Sequence, residues 1–133
     1  MDTRTKILGL PDWIVHPGEE WIVVVGVFDP VTLEVANAVV RHARRGAKLA
    51  VIVAEGSETL LSRAARANLL AALGAVDAVL IEDVDRAIDL AKQRGARVTL
   101  RDERAGDEQR AGDFSRFIFA RQAAVKLAEK QSQ

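Results

Sequence analysis

A chain of 133 residues can bury one hydrophobic core and is too short for two ordinary domains, so a single domain over 1–133 is expected. Its 19 basic and 19 acidic side chains cancel and 49% of its residues are hydrophobic, which excludes a disordered polyelectrolyte and the one-signed field of a nucleic-acid binder. The absence of cysteine rules out disulfides, thiolate metal sites and thiol nucleophiles.

The N-terminal stretch MDTRTKILGLPDW lacks the apolar core of a signal peptide. No later apolar run reaches the roughly 20 residues needed to cross a bilayer, so a cytoplasmic protein without a membrane partner is expected. Trp21–Phe28 is a continuous valine-rich run, the pattern of a parallel strand covered on both faces. Leu33, Ala36, Val40 and Ala43 recur at helical spacing behind it, Arg44 and Arg45 suit the negative end of a helix dipole, and Gly46 provides a stop. Lys48–Ala54 is a second buried strand. The following SETLLSRAARANLLAALG predicts a helix with Leu60, Leu61, Ala64, Ala65, Leu69, Ala72 and Leu73 on its apolar stripe, ended by Gly74. DAVLIED predicts a third strand, Val84, Ala87, Ile88 and Ala91 a helix closed by Gly95, and Arg97–Leu100 a fourth strand. The charged, glycine-bearing Arg101–Asp113 is expected to be a loop, and Phe114, Phe117, Ile118 and Val125 to mark a last helix over 114–130.

Strands alternating with helices predict an α/β fold: a Rossmann-like, doubly wound parallel sheet flanked by helices, with a core over about 20–100. Any ligand crevice in such a sheet lies outside the carboxyl ends of the strands where strand order reverses, so residues 28–32, 54–58, 82–84 and 101–104 should border it. His16 and His42 are far apart in sequence with no other ligand pattern close by, and no metal site is expected from them. Trp13 and Trp21 are expected to serve packing, and the acids Glu82, Asp83 and Asp85 helix capping.

The strand end Gly26-Val27-Phe28-Asp29, its turn into a helix, and the later run Arg66, Leu70, Leu73, Val76, Asp77 together resemble the cytidylyltransferase-like branch of the HIGH-motif nucleotidyltransferases. The type it looks most like is the heptose-phosphate adenylyltransferase and glycerol-phosphate cytidylyltransferase type. The likeness covers roughly residues 20–82. It implies a site in which Gly26, Phe28, Asp29, Arg101 and Ser115 hold nucleotide, Thr32 and Arg66 stand at the reacting phosphates, and Mg²⁺ enters with CTP or ATP. It further implies a phosphorylated sugar or polyol as second substrate, and makes a homodimer plausible.

The chain departs from the family where the chemistry should sit. The family's His-x-Gly-His is replaced by Thr32-Leu33-Glu34-Val35. Thr32 can cap a helix or give a phosphate one neutral hydrogen bond but supplies no imidazolium. Glu34 puts a negative charge where phosphates would lie, at a Coulomb cost of roughly 1 kcal/mol at 4 Å in water and more at lower dielectric. His42, two helical turns on, does not replace the missing pair.

Each residue has a plainer reading. Gly26 can relieve packing at a strand end. Asp29-Pro30 is equally a turn and helix-start pair. Arg66 can belong to a solvated face of an alanine-rich helix. Two functions therefore stand: a nucleotidyltransferase-like domain with transfer chemistry lost or weak, binding a nucleotide or phosphorylated small molecule; or a non-catalytic interaction module. A phospho-receiver domain shares the alternation but would need paired acids after the first strand, an aspartate at the third and a lysine at the last, and that set is incomplete. An open pocket beside Gly26 with Arg66 and Arg101 turned inward would favour ligand binding; filling by Phe28, Glu34 and Val35 would favour the scaffold.

Overall fold

The computed structural model describes residues 3–29, 31–56 and 59–104. Five parallel strands, β1 (Ile7–Leu8), β2 (Glu20–Gly26), β3 (Lys48–Val53), β4 (Ala78–Leu80) and β5 (Arg97–Asp102), form one sheet in the order β1-β4-β3-β2-β5. Helices α1 (Leu33–Val40), α2 (Arg63–Ala71) and α3 (Val84–Gln93) link β2 to β3, β3 to β4 and β4 to β5. The expected α/β parallel architecture is present. Among the described residues no helix is long and apolar enough to cross a membrane.

β2 is hydrogen-bonded on both sides, to β3 and to β5, and every residue from Trp21 to Gly26 is buried. That is why its sequence is an unbroken apolar run and does not alternate. Its side chains still divide by parity. Ile22 and Val24 meet α1 and α2 together with Leu49, Val51 and Val53 of β3, whereas Trp21, Val23 and Val25 meet α3 and the segment around Leu10–Val15. Ala87 and Ala91 form the buried face of α3, and their small side chains let the helix lie close on the sheet. The indoles of Trp13 and Trp21 pack edge to face at 5.1 Å, as expected of packing residues.

Several features differ from the sequence expectation. Ile7 and Leu8 make a fifth strand against Val79 and Leu80, too short to leave a periodic signal. The last strand runs two residues further, so that Arg101 and Asp102 extend the ladder instead of opening a loop. The helix faces also change. On α1 the buried residues are Val35 and Val39, while Leu33 is 77% exposed; on α2 they are Arg66, Ala67, Leu70 and Ala71, and Leu69 is turned outward. Both helices are apolar on more than one side, so periodicity alone could not choose the face that the sheet covers. α2 begins only at Arg63, where the Ser62 hydroxyl accepts from Ala65 N at 3.1 Å, which leaves Leu60 and Leu61 in the preceding loop.

Gly95 closes α3 at a φ of +85°, and a side chain there would meet Pro17 at 3.2 Å, so the turn into β5 requires glycine. The remainder of the expected loop from residue 105, and the expected helix 114–130 with Ser115, lie outside the described residues.

Candidate functional site

From β2 to β3 to β4 the chain moves one way across the sheet, then β5 returns to the other flank of β2. The reversal point therefore lies between β2 and β5, and the carboxyl ends of these strands define the crevice of such a fold. Gly26 ends β2 beside Val53 of β3, and its carbonyl accepts from Ala54 N at 2.8 Å. On the other flank Glu103 N donates to Val25 O at 2.7 Å, holding the end of β5 against β2.

Beyond Gly26 the backbone makes an abrupt turn. Phe28 is buried with φ at +55°, the left-handed region that a bulky residue rarely enters. Its ring lies in the core with Val24, Val35 and Val39, so burial of an aromatic side chain holds the unfavourable backbone in place. The turn directs Asp29 inward. Asp29 is 4% exposed, and its carboxylate accepts from the backbone N–H of Leu61 at 2.9 Å and from that of Leu60. A residue from the loop after β2 thus satisfies the loop after β3, ahead of α2.

Arg66 makes the complementary connection. Only 1% exposed, it donates from Nη1 to Val27 O at 2.5 Å and Ala54 O at 2.9 Å, and from Nε to Leu61 O at 3.3 Å. Burial pulls its pKa down, opposed by the nearby carboxylates of Asp29 and Glu55. A guanidinium stays protonated through such a shift, and its planar fork suits several carbonyls at once. One turn earlier, Arg63 donates to Val53 O at 2.8 Å and ion-pairs with Glu55 at 3.1 Å. Gly56 closes the junction: a Cβ there would lie 2.7 Å from the Val27 side chain.

Thr32 is the N-cap of α1, its hydroxyl accepting from Val35 N at 3.3 Å. Glu34 is exposed in the first turn of the helix, and Val35 is buried in the core. Two acids at other strand and helix junctions also serve the backbone. Asp83 caps α3 through Asp85 N and Arg86 N, and Asp77 accepts from Leu49 N at 2.8 Å.

The structure thus brings Gly26, Phe28, Asp29 and Arg66 to one place, at the junction of two βα loops. Arg66 faces backbone carbonyls rather than a crevice and is not on a solvated face. Arg101 stands apart on edge strand β5, opposite Val24. Ser115 lies outside the described residues. Among the described residues no group of three or more His, Asp or Glu side chains is placed to hold a metal ion. The buried role of Arg66 was not readable from sequence, because one arginine in RAARANLLA carries no sign of the carbonyls it meets from distant loops. No protein-family model, curated protein or solved structure matches this chain.

Proposed function

We propose that this protein is a nucleotidyltransferase-like α/β domain that performs no nucleotidyl transfer and acts as a non-catalytic interaction module, with the nucleotide site at the carboxyl end of its sheet closed. One observation carries the reading. The polar groups at the residues assigned to chemistry by resemblance are spent on the protein's own backbone: Thr32 on the α1 cap, Asp29 on Leu60 and Leu61, Arg66 on Val27, Ala54 and Leu61. A group that must stabilise charge developing on a phosphate has to be aimed at that phosphate before the reaction, and these are aimed elsewhere.

Two further points support it. The position of the family's second histidine is Val35, part of the core with Phe28 and Val39, so the site would have to be rebuilt and not merely repopulated. The exposed Glu34 carboxylate in the first turn opposes an anion at the helix N-terminus. Mg²⁺ would enter only as the counter-ion of a bound triphosphate.

The test is a pair of measurements on the full chain: pyrophosphate release from CTP and from ATP with Mg²⁺ over a set of sugar and polyol phosphates, and calorimetric titration with each triphosphate. No release above a boiled control is expected. Release that disappears in Thr32→Ala or Arg66→Lys would overturn the non-catalytic reading. No saturable binding heat is expected with either triphosphate, and saturable heat would overturn the closed-site reading.

A further inference from the structure

A second region of the molecule lies away from the Gly26–Thr32 turn, at the opposite end of α1. Between the segment after α1 and strand β5 the chain leaves a cleft of about 270 Å³. Ile22 and Thr99, neighbours in the β2–β5 register, line it, and Arg41, His42, Arg44 and Arg101 surround it. Thr99 and Arg101 are two residues apart on one strand and so stand on the same face of the sheet.

The cations are not equivalent. Arg44 is ion-paired with Glu20, and His42 meets Glu103 at 2.7 Å. Arg41 donates only its Nε, to Asn37 O at 3.3 Å, and neither Arg41 nor Arg101 has a carboxylate partner among the described residues. The half-buried Thr99 hydroxyl has no protein partner among them either. Capping of α1 engages only the Arg41 Nε, on Asn37 O, and does not involve Arg101 on β5. Two guanidiniums without carboxylate partners, from separate elements, line this one cleft, and a phosphate dianion there can pair with both.

We propose that this cleft binds the phosphate group of a small phosphate monoester, with Arg41 and Arg101 as the two guanidinium donors, Thr99 as a hydroxyl donor, and Ile22 as the apolar surface for the carbon part of the ligand. The volume falls just below the roughly 300–1,000 Å³ typical of ligand pockets, which suits a small ester of about three to six carbons and not a nucleoside triphosphate. The assignment uses none of the residues at the carboxyl end of β2 and stands whether or not a nucleotide binds there. The balanced net charge of the chain disfavours a polyanionic partner.

The test is titration of the ¹⁵N-labelled full chain with glycerol 3-phosphate, with glycerol as control, following backbone amide shifts. Saturable shifts at residues 41–44 and 99–101, little change at 26–32 and none with glycerol are expected. Arg41→Ala and Arg101→Ala should each weaken binding about tenfold, as for loss of a charge-assisted contact, with Arg101→Lys intermediate. Both side chains are surface groups, so the amide spectrum and melting temperature of each variant should match the parent. The proposal fails if no shift saturates by about 20 mM, a concentration well above a millimolar dissociation constant. It also fails if the shifts fall only at 26–32, or if both folded alanine variants bind as the parent does. Tighter binding of a single-stranded oligonucleotide through the same residues would replace the small ester by nucleic acid.

Discussion

Arg66 on α2 donates to the carbonyl of Val27, at 2.5 Å, in the loop after β2. The same nitrogen reaches Ala54 O in the loop after β3, so one guanidinium joins two turns that are 27 residues apart in sequence. Asp29 joins the same two loops in the other direction through Leu60 and Leu61. The residues that resemble a substrate site in sequence form, in three dimensions, a clasp that holds two βα turns together.

Arg66→Ala should therefore act on stability. It removes the Arg66 donor from the Val27 and Ala54 carbonyls and opens a cavity in a closed region, and a loss of about 3 kcal/mol is expected in urea unfolding. Arg66→Lys should recover only part, since a single ammonium cannot reproduce the fork. A loss below about 0.5 kcal/mol, the range of ordinary surface substitutions, would mean that the clasp is not structural.

Asp29→Asn keeps the shape of the side chain while removing its charge, and Leu60 N and Leu61 N must then share one amide oxygen. A loss of about 1 kcal/mol is expected, the scale of a lost cap. Because Asp29 also favours the charged form of Arg66, the double variant should be less unstable than the sum of the two, with a coupling of at least about 0.5 kcal/mol in a double-mutant cycle. Strict additivity would separate the two residues.

Phe28 poses a competition between strain and burial. Phe28→Gly relieves the left-handed backbone, worth about 1 kcal/mol, but empties the ring's place in the core, worth about 3–5 kcal/mol. Burial should win, giving a net loss of at least about 2 kcal/mol by thermal or urea unfolding. A more stable glycine variant would show that strain dominates the turn.

Gly56→Ala places a methyl group 2.7 Å from Val27 Cγ1 and 3.0 Å from Thr59 Cγ2. Overpacking of this kind costs about 1–3 kcal/mol. Val27→Ala made in the same chain should give back part of that cost, because it removes the methyl that is struck. The melting temperature of the double variant should then lie above that expected from adding the two single losses.

Glu19 gives a pH signature. Its carboxylate meets Lys48 at 2.7 Å and accepts from His16 N at 2.6 Å and Trp21 Nε1 at 3.4 Å, and the Lys48 bond is the main reason its pKa falls below the ordinary 4.5. A depressed carboxylate pKa stabilises the fold above the unfolded value, and that contribution is lost as pH falls from about 4.5 through the lower folded value. The stability curves of the parent and Glu19→Gln, measured against pH, should differ at neutral pH and converge in acid. A difference independent of pH would mean that the carboxylate charge is not the source.

The α/β architecture, the buried character of β2 and β3, the start of α3 at Val84 and the packing role of both tryptophans were all readable from the residues in order. Each is a local property: a continuous valine run, a capping acid before an apolar stripe, a large ring near a strand. The site was legible in part. The run from Gly26 to Asp29 marks the turn at the end of β2, but nothing in it tells whether Asp29 faces a ligand or Leu61 N.

Tertiary structure decided what depends on distant partners. The strand order, with β5 returning beside β2, rests on pairing between segments about 75 residues apart, and the two-residue β1 exists only because β4 offers it an edge. The faces of α1 and α2 were set by the sheet, since helices apolar on several sides carry no single stripe in their sequence. Arg66 became a buried clasp for the same reason: its carbonyl acceptors are backbone atoms, which every residue carries alike, and only the fold brings these particular ones within reach.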